Sequence, residues 1–465
     1  MKDLSLRLRV FLFFCLLALG GTAVSLAALW FGFRQLGDPQ AMSAFVTSAI
    51  ISGFGLSGLA LFIWLFFDDN VSKPIERLAA DLRLRAHANI EAEFNEATAQ
   101  YLGDLAPAAT ALQQKLQEAS QGASWASKEE NNRLRHQRQQ LLRILSDIPI
   151  AVIVANQDHQ IVLYDGQAAA LMEVEAPARL NGSVFDYLEK EAVQNALSKL
   201  AKKESQRIAL TLKGHSGAVY SGHIRSFGEN AGYTLMLESL DPDAERPLVY
   251  DFDLLEQGQS SALHDTLMRD LTFVVFDSET TGLNPDKDDV VQLGAVRIVN
   301  GKTVPGEVFE TFINPGRPIP ASSTKVHRIT DEMVVQAPSF EEGCRAFHEF
   351  SENAVIVAHN APFDMAFMHR QASKIGIQFD HPILDTVHIS AVVFGGSAEH
   401  TLDALCHRLE VEIPQDMRHT AIGDAVATAQ VFIAMLPILE ARGLKTYGQV
   451  KSEIKKHSRI LQVQP

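Results

Sequence analysis

The chain has 465 residues, too many for one ordinary hydrophobic core, so several domains are expected. With 46% hydrophobic and 21% charged residues it is not a wholly disordered chain, and a formal net charge of −15 excludes a broad basic surface for coating nucleic acid. The three cysteines, Cys15, Cys344 and Cys406, are far apart and fit no metal or redox spacing, so they read as buried thiols of a reducing compartment.

The N-terminus reads as membranous. Val10 to Phe33 is apolar and uncharged, long enough for the ~20 residues of a spanning helix, and Ala41 to Phe67 is a second such run. Lys2, Arg7 and Arg9 precede the first run; Lys73, Arg77, Arg83 and Arg85 follow the second. These flanks predict a two-helix anchor over residues 1–67, multi-pass in a bacterial inner membrane, with both ends in the cytoplasm. A cleaved signal peptide is the rival reading of the first run, disfavoured by its length and by the span that follows at once. Trp30 and Trp64 suit the interfacial belts. Beyond the membrane, VSKPIERLA (Val71 to Ala79) starts a helix with Pro74 near its beginning, and Leu102 to Leu116 gives a second helical segment. The pair resembles a HAMP relay, expected over 68–122; a plain juxtamembrane amphipathic helix is the alternative. The polar, Arg-rich stretch around Leu134, Leu141 and Leu142 predicts a helical linker over 123–144.

From Ile148 the character changes. IPIAVIVANQDHQIVLYD reads as two short strands around a polar turn, GQAAALMEV as a helix, and RIALTL, AVYSGHIRSF and GYTLMLESL as three further strands. This order resembles a PAS sensor domain, which implies an α+β fold over 145–240 and an unidentified small ligand. No cysteine lies within it, which excludes flavin–cysteine photochemistry, and His159, His215 and His223 sit in polar or turn contexts that disfavour haem ligation. An acidic, proline-containing linker over 241–269 closes this part.

FVVFDSETTGL, Phe273 to Leu283, then opens with an apolar, β-branched and aromatic run that predicts a buried strand. Asp277 and Glu279, two apart, fall on one face of it. Adjacent carboxylates resist joint ionisation without a cation, and a hard divalent metal prefers oxygen ligands. VIVAHNAPFDMAFM predicts a strand over Val355 to Ala358 and a helix starting at Pro362, with Asp364 in its first turn. HTAIGDAVATAQVF predicts a helix over Ala421 to Leu436 that carries Asp424, with His419 just before it. Taken singly, each has a bland reading: solvated acids at a strand end, an acid complementing a helix dipole, a structural histidine. Val290 to Val299 and Val308 to Asn314 are further strand candidates and Phe340 to Phe350 is helical, which gives a mixed sheet flanked by helices.

Together these segments resemble the histidine-containing branch of the DEDD exonuclease superfamily, near the proofreading epsilon subunits of bacterial DNA polymerase III. The residues that carry the resemblance are DSETTGL from Asp277, HNAPFD ending at Asp364, and H-x-A-x-x-D from His419 to Asp424. VHRIT (Val326 to Thr330) and LDT (Leu384 to Thr386) also match; Arg328 departs, where relatives often carry glycine. The resemblance covers about 270–440 and implies an α/β ribonuclease H-like fold and 3′–5′ exonuclease chemistry. It implies two Mg2+ or Mn2+ ions: Asp277 bridges both, Glu279 and Asp424 serve the first, and Asp364 serves the second, partly through water. His419 is the implied general base. Leu283 is expected to pack on the terminal base, and His327, Asn360, Thr280 and Phe363 to complete a nucleotide-binding set; loop hydrogen bonding is the alternative for His327 and Asn360.

The tail, 441–465, carries Lys445, Lys451, Lys455, Lys456 and Arg459 and reads as a solvated helix. The expected function is a membrane-anchored 3′–5′ exonuclease on single-stranded DNA ends, regulated by the PAS-like domain. The same chemistry on RNA is one alternative; a sensor using a non-catalytic nuclease fold as a binding module is the other. The HAMP-like and linker helices leave room for a homodimer. No GxxxxGK[ST] loop or kinase motif set supports an ATP-driven receptor.

Overall fold

Two long apolar helices open the structure, a computed structural model that describes residues 6–36, 39–75, 150–202, 207–227, 232–238, 248–255, 262–396 and 398–461. The linker helix expected over 123–144, and the HAMP-like segment beyond residue 75, lie outside the described residues. The chain divides into two units, Met1–Ser124 and Trp125–Pro465.

In the first unit, α1 (Leu6–Leu36) and α2 (Met42–Phe67) form an antiparallel hairpin. Ser25 and Ser52 share a 2.6 Å hydroxyl contact, and Phe11 meets Trp64 edge-on at 4.9 Å. Arg7 binds both oxygens of Asp68, at 2.8 and 2.7 Å, so the outer ends of the two helices lie together. Leu19 and Phe54 are 71% and 79% exposed, an apolar surface that water does not favour, and both helices are long and apolar enough to cross a membrane. A third helix of such length and composition, Ala421–Ala441, is largely buried in the second unit and is a core element.

The second unit holds two sheets. The first has six antiparallel strands in the order β3-β4-β5-β1-β2-β6: β1 (Ile150–Ala155), β2 (Ile161–Tyr164), β3 (Ile208–Lys213), β4 (Val219–Ser226), β5 (Tyr233–Glu238) and β6 (Val249–Tyr250). Helices α3 (Gly166–Glu173) and α4 (Lys190–Lys202) lie between β2 and β3 in sequence. Strand β6 arises within the stretch expected as a linker: Val249 is buried and pairs with Tyr164, and Leu254 is buried after it.

The second sheet runs β11-β10-β7-β8-β9: β7 (Phe273–Thr280), β8 (Val290–Val299), β9 (Lys302–Phe312), β10 (Val355–Ala358) and β11 (Ile383–Asp385). Strand β7 is central, parallel to β10 and antiparallel to β8, so the sheet is mixed as expected. Strand β9 starts earlier than the apolar pattern predicts. Asn300 and Gly301 both have positive φ (49° and 68°), the backbone of a tight hairpin turn, which lets β9 pair from Lys302 onward.

Around this sheet stand α5 (Ala321–His327), α6 (Phe340–Phe350), α7 (Ala361–Ala372), α8 (Thr386–Phe394), α9 (Leu402–Leu409), α10 (Ala421–Ala441) and α11 (Tyr447–Leu461). Val274 and Phe276 of β7 pack with Phe347 of α6 and Met365 and Phe367 of α7. The alternate side chains face α10, where Phe273 meets Phe432 edge-on at 4.8 Å. The basic tail is not simply solvated. Helix α11 buries Val450 and half-buries Lys451, whose ammonium donates to the Ile383 carbonyl at 2.8 Å, so one amphipathic face docks beside β11.

The two sheets share core. Val299 and Val304, from the β8–β9 hairpin, belong to the hydrophobic cluster of the first sheet. Beneath them Arg297 pairs with Glu307 at 2.8 Å, both at most 3% exposed. The Tyr164 hydroxyl donates to Glu307 at 2.7 Å, as does the Leu180 amide at 2.5 Å. Arg179, also buried, bridges Asp186 of its own domain and Glu352 of the other. Breaking such a pair strands a buried charge, whereas replacing both partners by apolar groups does not. Glu307→Ala is therefore expected to destabilise the fold by about 3 kcal/mol or more. The double variant Arg297→Met, Glu307→Leu should recover part of that loss by removing the stranded charge, while leaving the Tyr164 hydroxyl and the Leu180 amide without their acceptor, as chemical denaturation would show.

Candidate active site

The acids of β7 lie at the carboxyl end of the central strand, on the face that packs on α10. A register shift against β8 follows Glu279, and the Thr280 hydroxyl then donates to the Gly282 carbonyl at 2.7 Å, turning the chain away. At Gly282 a Cβ would lie 2.4 Å from the Asp288 carboxylate, so a side chain here would have to displace that carboxylate. That carboxylate pairs with Arg317, and Arg317 and Arg370 both bind Asp289. The loop is thus fixed while its tip, Leu283, is 84% exposed.

Asp424 comes from the first turn of α10, whose cap is the Thr420 hydroxyl accepting from Gly423 N at 3.1 Å. Asp277, Glu279 and Asp424 each offer an oxygen within 4.8 Å of the others. Asp364, in the first turn of α7, stands outside that group of three. It is buried, and the Ser278 hydroxyl donates to its Oδ1 at 2.6 Å. His419 lies just before the cap, exposed, with a left-handed backbone (φ 56°).

The electrostatics are those of crowded, buried acids. Burial, then Asp364, Glu279 and Asp424, push the Asp277 carboxyl well above the usual carboxylate range. Burial, then Asp424 and Asp364, push Glu279 from its usual 4.5 up to about 8. Burial also raises Asp364, against the hydrogen bond from Ser278, and raises Asp424, against the pull of His419. An all-oxygen anionic set fits a hard divalent cation. The pH dependence follows. A carboxyl raised on folding favours the fold while protonated. For Glu279 that contribution is fully present below 4.5 and is lost as pH rises through about 8. Thermal melts in EDTA are expected to fall over this range, and added Mn2+ should restore stability at the alkaline end.

The nucleotide-binding set is less uniform. His327 is buried, and its Nδ1 accepts from Ile329 N at 3.0 Å, so one ring nitrogen serves its own loop. Asn360 is exposed in a left-handed conformation (φ 62°), and its N–H donates to Asp385 Oδ1 at 3.1 Å. Phe363 is half-buried, tilted edge-on against Phe367 at 5.2 Å. Thr280 spends its hydroxyl on the turn, and Leu283 alone of the set presents a large exposed apolar surface. Asp385 lies in the LDT stretch that the sequence already picks out, whereas the contacts of Ser278 with Asp364 and of Gln292 with Ala421 come to light through pairing register and tertiary contact.

Residues 274–432 match the Exonuclease (RNase_T) family model. A DNA polymerase III subunit epsilon-like protein of Rhodobacter capsulatus is 32% identical, over 98% of this chain and 99% of that protein. The DNA polymerase III PolC-type of Caldanaerobacter subterraneus subsp. tengcongensis is 42% identical, over 39% of this chain but 13% of the polymerase. Among solved structures, exonuclease X in complex with 5′ overhanging duplex DNA matches at TM-score 0.32 and 22% identity, over 39% of this chain and 99% of that one. Residues 274–432 are thus an exonuclease domain, with the mixed sheet of a ribonuclease H-like fold, and the enzyme class is nuclease hydrolase.

Proposed function

This chain belongs to the DNA polymerase III subunit epsilon-like proteins, and from that premise we propose that it is a membrane-anchored, metal-dependent 3′–5′ exonuclease that releases nucleotides from DNA 3′ ends. The observation that carries the reading is the convergence of Asp277, Glu279 and Asp424, with Asp364 and His419 beside them. The four acids would hold two divalent ions, Mg2+ or Mn2+, which when bound supply charge neutralisation at the attacked phosphate and activation of water. His419 would take the proton of the attacking water; its exposure leaves it open to solvent and substrate. Leu283, on its fixed loop, would pack on the terminal base, with Thr280, His327, Asn360 and Phe363 around the same nucleotide.

The remaining assignments belong to the same proposal. The antiparallel order of the first sheet, with helices between β2 and β3, supports a PAS-like domain over 145–240, and the core it shares with the exonuclease sheet supports regulation of one by the other. The apolar hairpin supports an inner-membrane anchor with the nuclease in the cytoplasm. A reporter after Ala79 should then behave as cytoplasmic, and one inserted near Gly37 as external. The activity is tested with the full chain in detergent on oligonucleotides labelled at either end. EDTA-sensitive release of single nucleotides from the 3′ end of DNA is expected. Release from the 5′ end, or internal cleavage, defeats the reading; a preference for RNA over DNA transfers it to the exoribonuclease alternative.

A further inference from the structure

The strand beside β7 faces the acids with a glycine and a glutamine. Asp277 pairs with Gly294 and Glu279 with Gln292, and directly opposed residues share one face of a sheet. That face packs on α10, which carries Asp424. At Gly294 a Cβ would lie 2.2 Å from Ile422 N and 2.4 Å from Ala421 C, so the missing side chain lets the start of α10 press against the sheet opposite Asp277. At Gln292 the side chain reaches the same helix. It is 3% exposed; its Oε1 accepts from Ala421 N at 3.1 Å, and its Nε2 donates to Glu310 Oε1 at 3.1 Å.

The first N–H groups of a helix have no partner within the helix. Thr420 takes that of Gly423, and Gln292 takes that of Ala421. Ala421 lies two residues after His419 and three before Asp424. An amide suits the position. A hydrocarbon leaves Ala421 N unsatisfied, and Glu310 fixes which end of the amide faces the helix.

We propose that Gln292 is a positioning residue for the hydrolytic site: its side-chain carbonyl anchors the start of α10 and so sets Asp424 and His419 against Asp277 and Glu279. This rests on the reading of those acids as metal ligands.

The test uses the full chain in detergent and Mn2+ as the probe, with binding measured by calorimetry without nucleic acid and turnover measured at saturating Mn2+. Gln292→Leu keeps the bulk but removes the acceptor, and is expected to weaken Mn2+ binding about tenfold, the scale of one lost buried hydrogen bond. The swap Gln292→Glu with Glu310→Gln restores an acceptor for Ala421 N and a donor–acceptor pair with position 310 at unchanged net charge, and should bind Mn2+ within about threefold of the unaltered chain. A general loss of structure would not be rescued in this way. Unaltered Mn2+ affinity in Gln292→Leu overturns the proposal, as does equal weakening in both variants. If Gln292→Leu does not fold, Glu310→Ala decides, because that side chain is exposed: a two- to fivefold weakening, about the scale of a half-exposed hydrogen bond, supports the role, and unchanged affinity overturns it. Failure of the unaltered chain to bind Mn2+ defeats the metal-site reading itself, a result distinct from either.

Discussion

Asp277→Asn is expected to reduce nucleotide release by at least ~10³-fold, because a charge that several kcal/mol of transition-state stabilisation depends on is removed. The substitution keeps the shape of the side chain. It removes the charge at the centre of the cluster, on the middle strand of the sheet, where burial and three neighbouring acids already disfavour ionisation. The sign of the stability change is opposite to that of the activity. An acid pushed up on folding destabilises the fold once ionised, so at pH 8 in EDTA the asparagine variant should melt higher than the unaltered chain. Its gain in melting temperature on adding Mn2+ should be smaller. Retained turnover with the fold intact would sink the assignment of Asp277 as a metal ligand. Equal melting behaviour in EDTA would show that the crowding of acids is relieved in some other way.

The parts of this site that were legible in the sequence are those whose chemistry is local. Strand β7 opens on an apolar run, β8 is mostly apolar and β10 wholly so, and Asp277 and Glu279 share a face by alternation alone, without knowledge of any neighbour. Asp424 and Asp364 fall in first turns that capping residues and Pro362 announce. Other features depend on pairings between distant residues. Gln292 looks like a stray polar residue in an apolar strand until register sets it against Glu279 and a helix 129 residues away. Ser278 reaches Asp364 across 86 residues. Arg297 and Glu307 carry no local sign of their pairing, which a second domain covers. The start of β9, with Pro305 and Gly306 in it, resembles a loop, and only the Asn300–Gly301 turn explains why it pairs.

His419→Asn is expected to lower turnover by ~10²–10⁴-fold while leaving Mn2+ affinity nearly unchanged. Asparagine is the informative replacement because the backbone here is left-handed, a conformation that it tolerates better than alanine does. It is also polar and similar in reach, but it cannot accept a proton near neutral pH as imidazole does. His419 lies outside the three-acid group and is exposed, so removing its ring takes away no oxygen ligand. It does act on Asp424, holding that carboxyl down against burial, and a modest weakening of Mn2+ binding through this contact is consistent with the role. The decisive comparison is therefore between calorimetric Mn2+ affinity and turnover at saturating Mn2+. A loss confined to turnover identifies the group that moves the proton. If the variant instead loses Mn2+ affinity as strongly as Asp424→Asn does, and regains full turnover when the metal concentration is raised, His419 is a ligand, and the proton must be taken by another group.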